Sequence, residues 1–195
     1  MILERIILAS ASPRRREILA SAGIPFRVVT SEADESYMGF PSPRELVEGL
    51  ALRKLRAVKD EIGDERLILA ADTVVYCDGL VLGKPADDTD AFRMLSMLSG
   101  STHTVYTGIA MSKNGSLVLD SEATRVTFRT LTAKEIEGYI ASGEPRGKAG
   151  AYAIQEMGGM FVQSIEGSFH NVVGLPICTV VAHLKNDFGI DVFEN

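Results

Sequence analysis

Two periods of apolar residues alternate along the chain. Short apolar runs at 5–9, 26–30 and 67–71 read as buried strands. Ser12-Pro13 opens a helix to about residue 22, with serine as N-cap, proline in the first turn and Gly23 as the stop. Ser42-Pro43-Arg44-Glu45 is a capping box that predicts a long helix to about residue 62. Residues 74–76 and 80–82, around Cys77-Asp78-Gly79, read as a hairpin, and a helix follows over about 89–98, closed by Gly100. Asn114-Gly115 between apolar runs at 104–111 and 117–129 predicts a second hairpin. Thr132-Ala133-Lys134-Glu135 is another capping box, for a helix stopping near Gly143. A glycine-rich stretch, a strand near 160–165 and a helix opened by Leu175-Pro176 complete the pattern. Strands, helices and hairpins interleave, which predicts an α/β fold with a mixed sheet.

The 195 residues, 46% of them hydrophobic, suffice for a single domain over 1–195. The net charge of −6 disfavours coating of nucleic acid or anionic lipid, because the mean field repels polyanions. It leaves room for local basic clusters that grip a small anion. The 2 cysteines, Cys77 and Cys178, have neither disulfide nor zinc spacing. His103, His170 and His183 are isolated along the chain, as structural or surface histidines are. No apolar run is long enough to span a membrane, and the first residues lack the order of a secretory signal, so a cytoplasmic location is expected.

Six segments carry candidate chemistry. Ser10-Ala11-Ser12-Pro13-Arg14-Arg15-Arg16 takes a strand into a helix N-terminus, where hydroxyls, amides and guanidiniums suit a phosphate. A capped helix with solvated arginines is the plainer alternative. Lys54 falls in the apolar stripe of Val47, Leu50, Ala51, Ala57 and Val58, so it either snorkels outward or meets an anion inside. Asp72-Thr73 follows the third apolar run, and an aspartate at a strand end suits a general base, a metal ligand or a plain turn. Gly83-Lys84-Pro85 sets a further cation on a constrained turn. In the segment from Gly147 to Gln155, small residues admit a ligand and Gln155 suits a base edge, with a glycine-rich connector as the alternative. Residues 143–148 fail as a P-loop, being one residue short and followed by Ala149 instead of Ser or Thr. Asp34-Glu35 offers carboxylates for a cation or for a solvated loop.

Taken in order, these segments resemble the Maf (septum formation) family of nucleoside triphosphate pyrophosphatases over nearly the whole chain. The motifs are Leu8-Ala9-Ser10-Ala11-Ser12-Pro13-Arg14-Arg15, Asp34-Glu35, Ala51 through Lys54, Ala71-Asp72-Thr73-Val74-Val75 and Gly83-Lys84-Pro85. Ser99-Gly100, His103 to Gly108, Ser142-Gly143-Glu144, Lys148 to Gln155 and Asn171 to Pro176 follow. The resemblance implies an elongated mixed sheet with flanking helices, and two lobes around a cleft, similar to the inosine triphosphate pyrophosphatase fold. It implies cleavage between the α and β phosphates with a divalent cation, Mg2+, Mn2+ or Co2+. Asp72 would be the catalytic base. Ser10, Ser12, Arg14, Arg15, Lys54, Thr73, Lys84 and Gln155 would bind substrate, and Glu35 with Asp72 would serve the metal. Arg14-Arg15, Asp72-Thr73 and Ala149 through Gln155 resemble the branch acting on dTTP and UTP, with modified uridine nucleotides among its substrates. The expected partner is a small nucleoside triphosphate, without nucleic acid or membrane, and a homodimer is the family expectation. A different class, a non-catalytic regulator of septum formation acting through a protein partner, stays open, as does a nucleotide sensor without turnover.

Overall fold

The computed structural model describes residues 5–30, 33, 41–63 and 65–194. Asp34-Glu35 lies outside the described residues. The elements are β1 (Ile6–Leu8), α1 (Pro13–Ser21), β2 (Phe26–Val28), α2 (Pro43–Ile62), β3 (Ile68–Cys77), β4 (Leu80–Leu82) and α3 (Asp88–Leu98). They continue with β5 (Thr102–Lys113), β6 (Ser116–Phe128), α4 (Ala133–Ala141), β7 (Val162–Glu166), α5 (Phe169–Val173) and α6 (Ile177–Asn186). Short 3₁₀ turns at Ala149–Ala151 and Met157–Phe161 occupy the glycine-rich stretch.

The described residues form a mixed seven-stranded sheet of order β2-β1-β3-β5-β6-β7, with β4 paired to β3. β1 is parallel to β2 and β3, whereas β4 and β7 are antiparallel to their partners. The turn chemistry acts as expected. Asn114 and Gly115 take the left-handed conformation at φ 50° and 83°, which closes the β5–β6 hairpin in two residues. Thr132 and Glu135 make the full reciprocal capping box. The Ser42 side chain caps α2 by accepting from the Glu45 N–H. Among the described residues, no helix is long and apolar enough to cross a membrane.

Several expectations are corrected. The strand at 67–71 and the hairpin strand at 74–76 are one element, β3, so Asp72-Thr73 lies within a strand and not at its end. The polar pair does not break the strand because β3 changes partner there: Ile68 and Leu69 pair with β1, and Val75 to Cys77 pair with β4. The buried face of α2 runs through Leu46, Val47, Leu50, Ala51, Leu55 and Val58, so Leu55 replaces Ala57 in the stripe. Ser12 is the N-cap residue of α1, but its hydroxyl makes no capping bond.

The chain forms two compact units. The first comprises the described residues of Met1–Asp72, Thr107–Glu122 and Gly174–Asn195. Its core joins Ile7 and Ala9, Ala51, Leu55 and Val58 of α2, Ile68 and Ala70 of β3, and Ala110 of β5. α2 lies flush on β5, since a Cβ at Gly108 would stand 2.4 Å from the Val47 carbonyl carbon. The second unit comprises Thr73–Tyr106 and Ala123–Val173. Its core is aromatic at the centre, where Phe128 meets Tyr152 and Phe161 edge-on at 4.8 and 5.9 Å. Met94, Leu95 and Leu98 of α3 and Ile136 of α4 close around those rings.

Candidate active site

The first unit builds its polar corner where β1 ends and β3 runs on past it. Leu8 is level with Leu69, and the Ala9 N–H donates to the Leu69 carbonyl at 2.8 Å. Carried on by two residues, that register sets Ser10 level with Ala71, one residue before Asp72. Both strands are parallel, so Ser10 and Asp72 are delivered at the same end of the pair.

Ser10 is buried, and its hydroxyl is fixed from two sides. The Ser12 N–H donates to Ser10 Oγ at 3.2 Å and the Arg15 guanidinium at 3.0 Å. A hydroxyl has two acceptor positions and one proton. With the acceptor positions engaged, the remaining capacity of the Ser10 hydroxyl is as a donor. Arg15 is itself buried, and its Nε–H donates to the Gly174 carbonyl at 2.7 Å, drawing the chain after α5 into the same corner. Arg14 is half-buried and Arg16 exposed. The three guanidiniums therefore differ in role, and the buried one acts by holding Ser10.

The second pair follows from two periodicities. On β3, Ile68, Ala70 and Asp72 share a face by strand alternation, and Ile68 and Ala70 pack with Ala51, Leu55 and Val58 of α2. Lys54 stands three residues after Ala51 and four before Val58, on that same helix face. Its Nζ lies 2.5 Å from Asp72 Oδ1, with the two side chains only 13% and 12% exposed. Of the two readings open for Lys54, meeting an anion inside is the one observed. Removing two charges from water is costly, and the pair persists because each charge is compensated at contact distance.

The remaining described residues of the set belong to the second unit. Thr73 follows Asp72 on β3 and is half-buried, and Lys84 is exposed on the turn after β4. The Gly150 N–H donates to the Gly83 carbonyl at 3.0 Å, so the segment leading to Gln155 runs beside the Lys84 turn. Gly150 takes φ 66°, and a Cβ there would stand 2.7 Å from Val75 Cγ2, so this approach requires glycine. Gln155 is exposed on a tight turn between Ala153 and Glu156. Behind that turn, His103 Nε2 and the Tyr152 hydroxyl are 2.9 Å apart in the core. Burial depresses the His103 pKa to about 4, so the ring is neutral near pH 7.

Two contacts beside the candidate residues have little sequence signal. Arg15 meets a carbonyl 159 residues away, whose only local mark is the glycine in Asn171-Val172-Val173-Gly174. Glu144, within Ser142-Gly143-Glu144, binds backbone N–H groups of the Gln155 turn. Among the described residues no three His, Cys, Asp or Glu gather as a metal-holding group. One hard carboxylate, Asp72, does fit a cation that shares its other ligands with phosphate oxygens, which is the usual way of holding Mg2+.

The sequence matches the family model described as Maf-like protein over residues 5–187. It is 48% identical over 190 residues to the dTTP/UTP pyrophosphatase of Bacillus cereus, covering 97% of this chain and 93% of that protein. It is 47% identical over 190 residues to the dTTP/UTP pyrophosphatase of Bacillus anthracis, covering 97% and 98% respectively. Among solved structures, the Staphylococcus aureus Ham1 protein aligns over 64% of this chain and 72% of that chain, with TM-score 0.45 and 14% identity.

Proposed function

The chain belongs to the Maf-like protein family, and from that premise we propose that it hydrolyses dTTP and UTP to the monophosphate and pyrophosphate. Modified uridine triphosphates fall in the same substrate class, and the cytoplasmic nucleotide pool is the setting in which it removes excess or non-standard nucleotides. The observation that carries this reading is the contact between Lys54 and Asp72, beside the end of β1 where Ser10 is also held.

The chemistry follows from what that contact does to each partner. A triphosphate brings several negative charges and competes with Asp72 for the Lys54 ammonium. As Lys54 turns to a phosphate oxygen, the Asp72 carboxylate is released to act on water. The water oxygen bonds to phosphorus on one side of the α–β bridge and its proton passes to Asp72. The bridging oxygen leaves with the bonding pair. Catalysis of this kind rests on placed charge more than on covalent chemistry. Ser10 donates its proton to a phosphate oxygen, and Arg15 keeps it aimed. Arg14, Ser12, Thr73 and Lys84 are assigned to the phosphates and Gln155 to the base edge. Asp72, with Glu35 from outside the described residues, would hold Mg2+, Mn2+ or Co2+, which would neutralise phosphate charge and polarise a phosphoryl oxygen.

A panel of nucleoside triphosphates assayed for pyrophosphate, with and without each cation, tests the reading. UTP and dTTP are expected to release pyrophosphate in preference to purine triphosphates, and only with a cation present. Binding without release, or no response to any triphosphate, would replace the enzyme with a sensor or a partner-binding regulator.

A further inference from the structure

We propose that Glu144, working with Tyr139, is the positioning residue that sets the Gln155 turn for base recognition. The inference rests on the assignment of Gln155 to the base. Glu144 Oε1 accepts from the Tyr139 hydroxyl at 2.7 Å and from the Gly158 N–H at 2.9 Å, and Oε2 accepts from the Met157 N–H at 3.0 Å. The Tyr139 oxygen in turn accepts from the Ala153 N–H at 3.3 Å. One carboxylate and one phenol thus tie the backbone on both sides of Gln155, two residues before it and two to three after it.

The polarity of this network is fixed. Tyr139 is buried, with its ring edge-on to Phe161 at 4.9 Å. Burial, together with the Glu144 carboxylate beside it, raises the phenol pKa well above its ordinary value. The phenol therefore keeps its proton and directs it to Glu144 while accepting from Ala153. All three groups facing Glu144 are donors, and an ionised carboxylate, which only accepts, satisfies them together. An amide at this position would turn its own N–H toward at least one of those donors. Sterics close the remaining freedom. A Cβ at Gly158 would lie 2.8 Å from both the Tyr139 oxygen and the Ala153 carbonyl, and one at Gly159 would lie 2.5 Å from the Ile154 carbonyl. The turn is rigid at its base and exposes Gln155 at its tip.

Such an arrangement lowers the ordering cost of binding a base, so its loss acts on affinity and selectivity before it acts on the chemical step. The test is steady-state kinetics on UTP and GTP for wild type, E144Q, Q155A and the double variant, with Y139F alongside. Met94→Ala, a core truncation in the same unit, controls for lost stability alone. For E144Q we expect KM for UTP to rise about tenfold, with kcat within about twofold and the preference for UTP over GTP narrowed to match. Y139F shifts the same way by less, and the double variant discriminates no worse than Q155A. Faster amide exchange at Met157 and Gly158 in E144Q accompanies these changes. An E144Q protein that loses melting temperature like Met94→Ala, yet keeps its KM and substrate ranking, overturns the inference alone. So does an effect that adds in full to Q155A. Absence of pyrophosphate release from the wild type overturns the pyrophosphatase reading, and the inference goes with it.

Discussion

The two units handle buried polar groups in opposite ways. The first sets unlike charges against one another: Lys54 on Asp72, with Arg15 buried beside Ser10. The second relies on hydrogen bonds between neutral groups and a carboxylate, with Glu144 taking the Tyr139 hydroxyl and two backbone N–H groups, and a neutral His103 facing Tyr152. Charge pairs can be exchanged by a charged ligand, whereas a hydrogen-bonded turn offers shape and direction. Changes in the first unit should therefore act on rate, and changes at the Gln155 turn of the second on selectivity.

The largest effect should come from Asp72→Asn. The substitution keeps the shape but removes the proton acceptor, and kcat for UTP should fall by about 10²–10⁴-fold. It also leaves the buried Lys54 ammonium facing an amide, so some loss of melting temperature is expected. Turnover near the wild-type level in a folded Asp72→Asn protein would falsify the base assignment.

Part of this division was legible in the sequence. Lys54 stands out as a charge in an apolar helical stripe, which leaves it to snorkel outward or to meet an anion, and the long helix is bounded by the Ser42 cap that the structure contains. Asp72 was legible as a residue but not in its setting. Alternation along a strand does not reveal that the strand changes partner, so the run was expected to end where β3 continues. The second unit was less readable. Glu144 shows only as part of Ser142-Gly143-Glu144; it binds backbone N–H groups, which every residue but proline carries, so that motif does not announce its partners. Arg15 presents the same difficulty across a long separation, because Asn171 to Pro176 reads as a motif without showing that the Gly174 carbonyl meets Arg15.

A middle-sized effect contrasts the two histidines, one in each unit. His103 titrates near 4 when folded because burial disfavours the imidazolium, against 6.5 for the free side chain. Between those values the unfolded chain binds more protons, so stability is complete above about pH 6.5 and drains as pH falls toward 4. The contribution at stake is roughly 3 kcal/mol. His183 has the opposite sign. Burial pulls its pKa down, but hydrogen bonds and charge from Asp187 and Asp120 outweigh that and raise it overall. Its contribution is complete below pH 6.5 and is lost as pH rises through the folded value. Denaturant melts across pH 4–8 should show His103→Gln with a shallower acid limb than wild type, and His183→Gln with a shallower decline on the alkaline side. Identical slopes in all three proteins would remove the histidines from the comparison.

The mildest change is expected at the Gln155 turn. Gln155 is exposed and its truncation leaves the aromatic core intact, so Gln155→Ala should melt close to wild type. An amide can accept from and donate to a base edge, and such a pair contributes discrimination of about 1–3 kcal/mol. Loss of the pair should cut the UTP-over-GTP ratio of kcat/KM by about tenfold, chiefly through KM, because the interaction is made in the ground state as well as the transition state. The split between kcat and KM decides the matter. If Gln155→Ala lowers kcat as strongly as Asp72→Asn does, the turn takes part in the chemical step. The division between a charged unit that sets rate and a hydrogen-bonded unit that sets choice would then not hold.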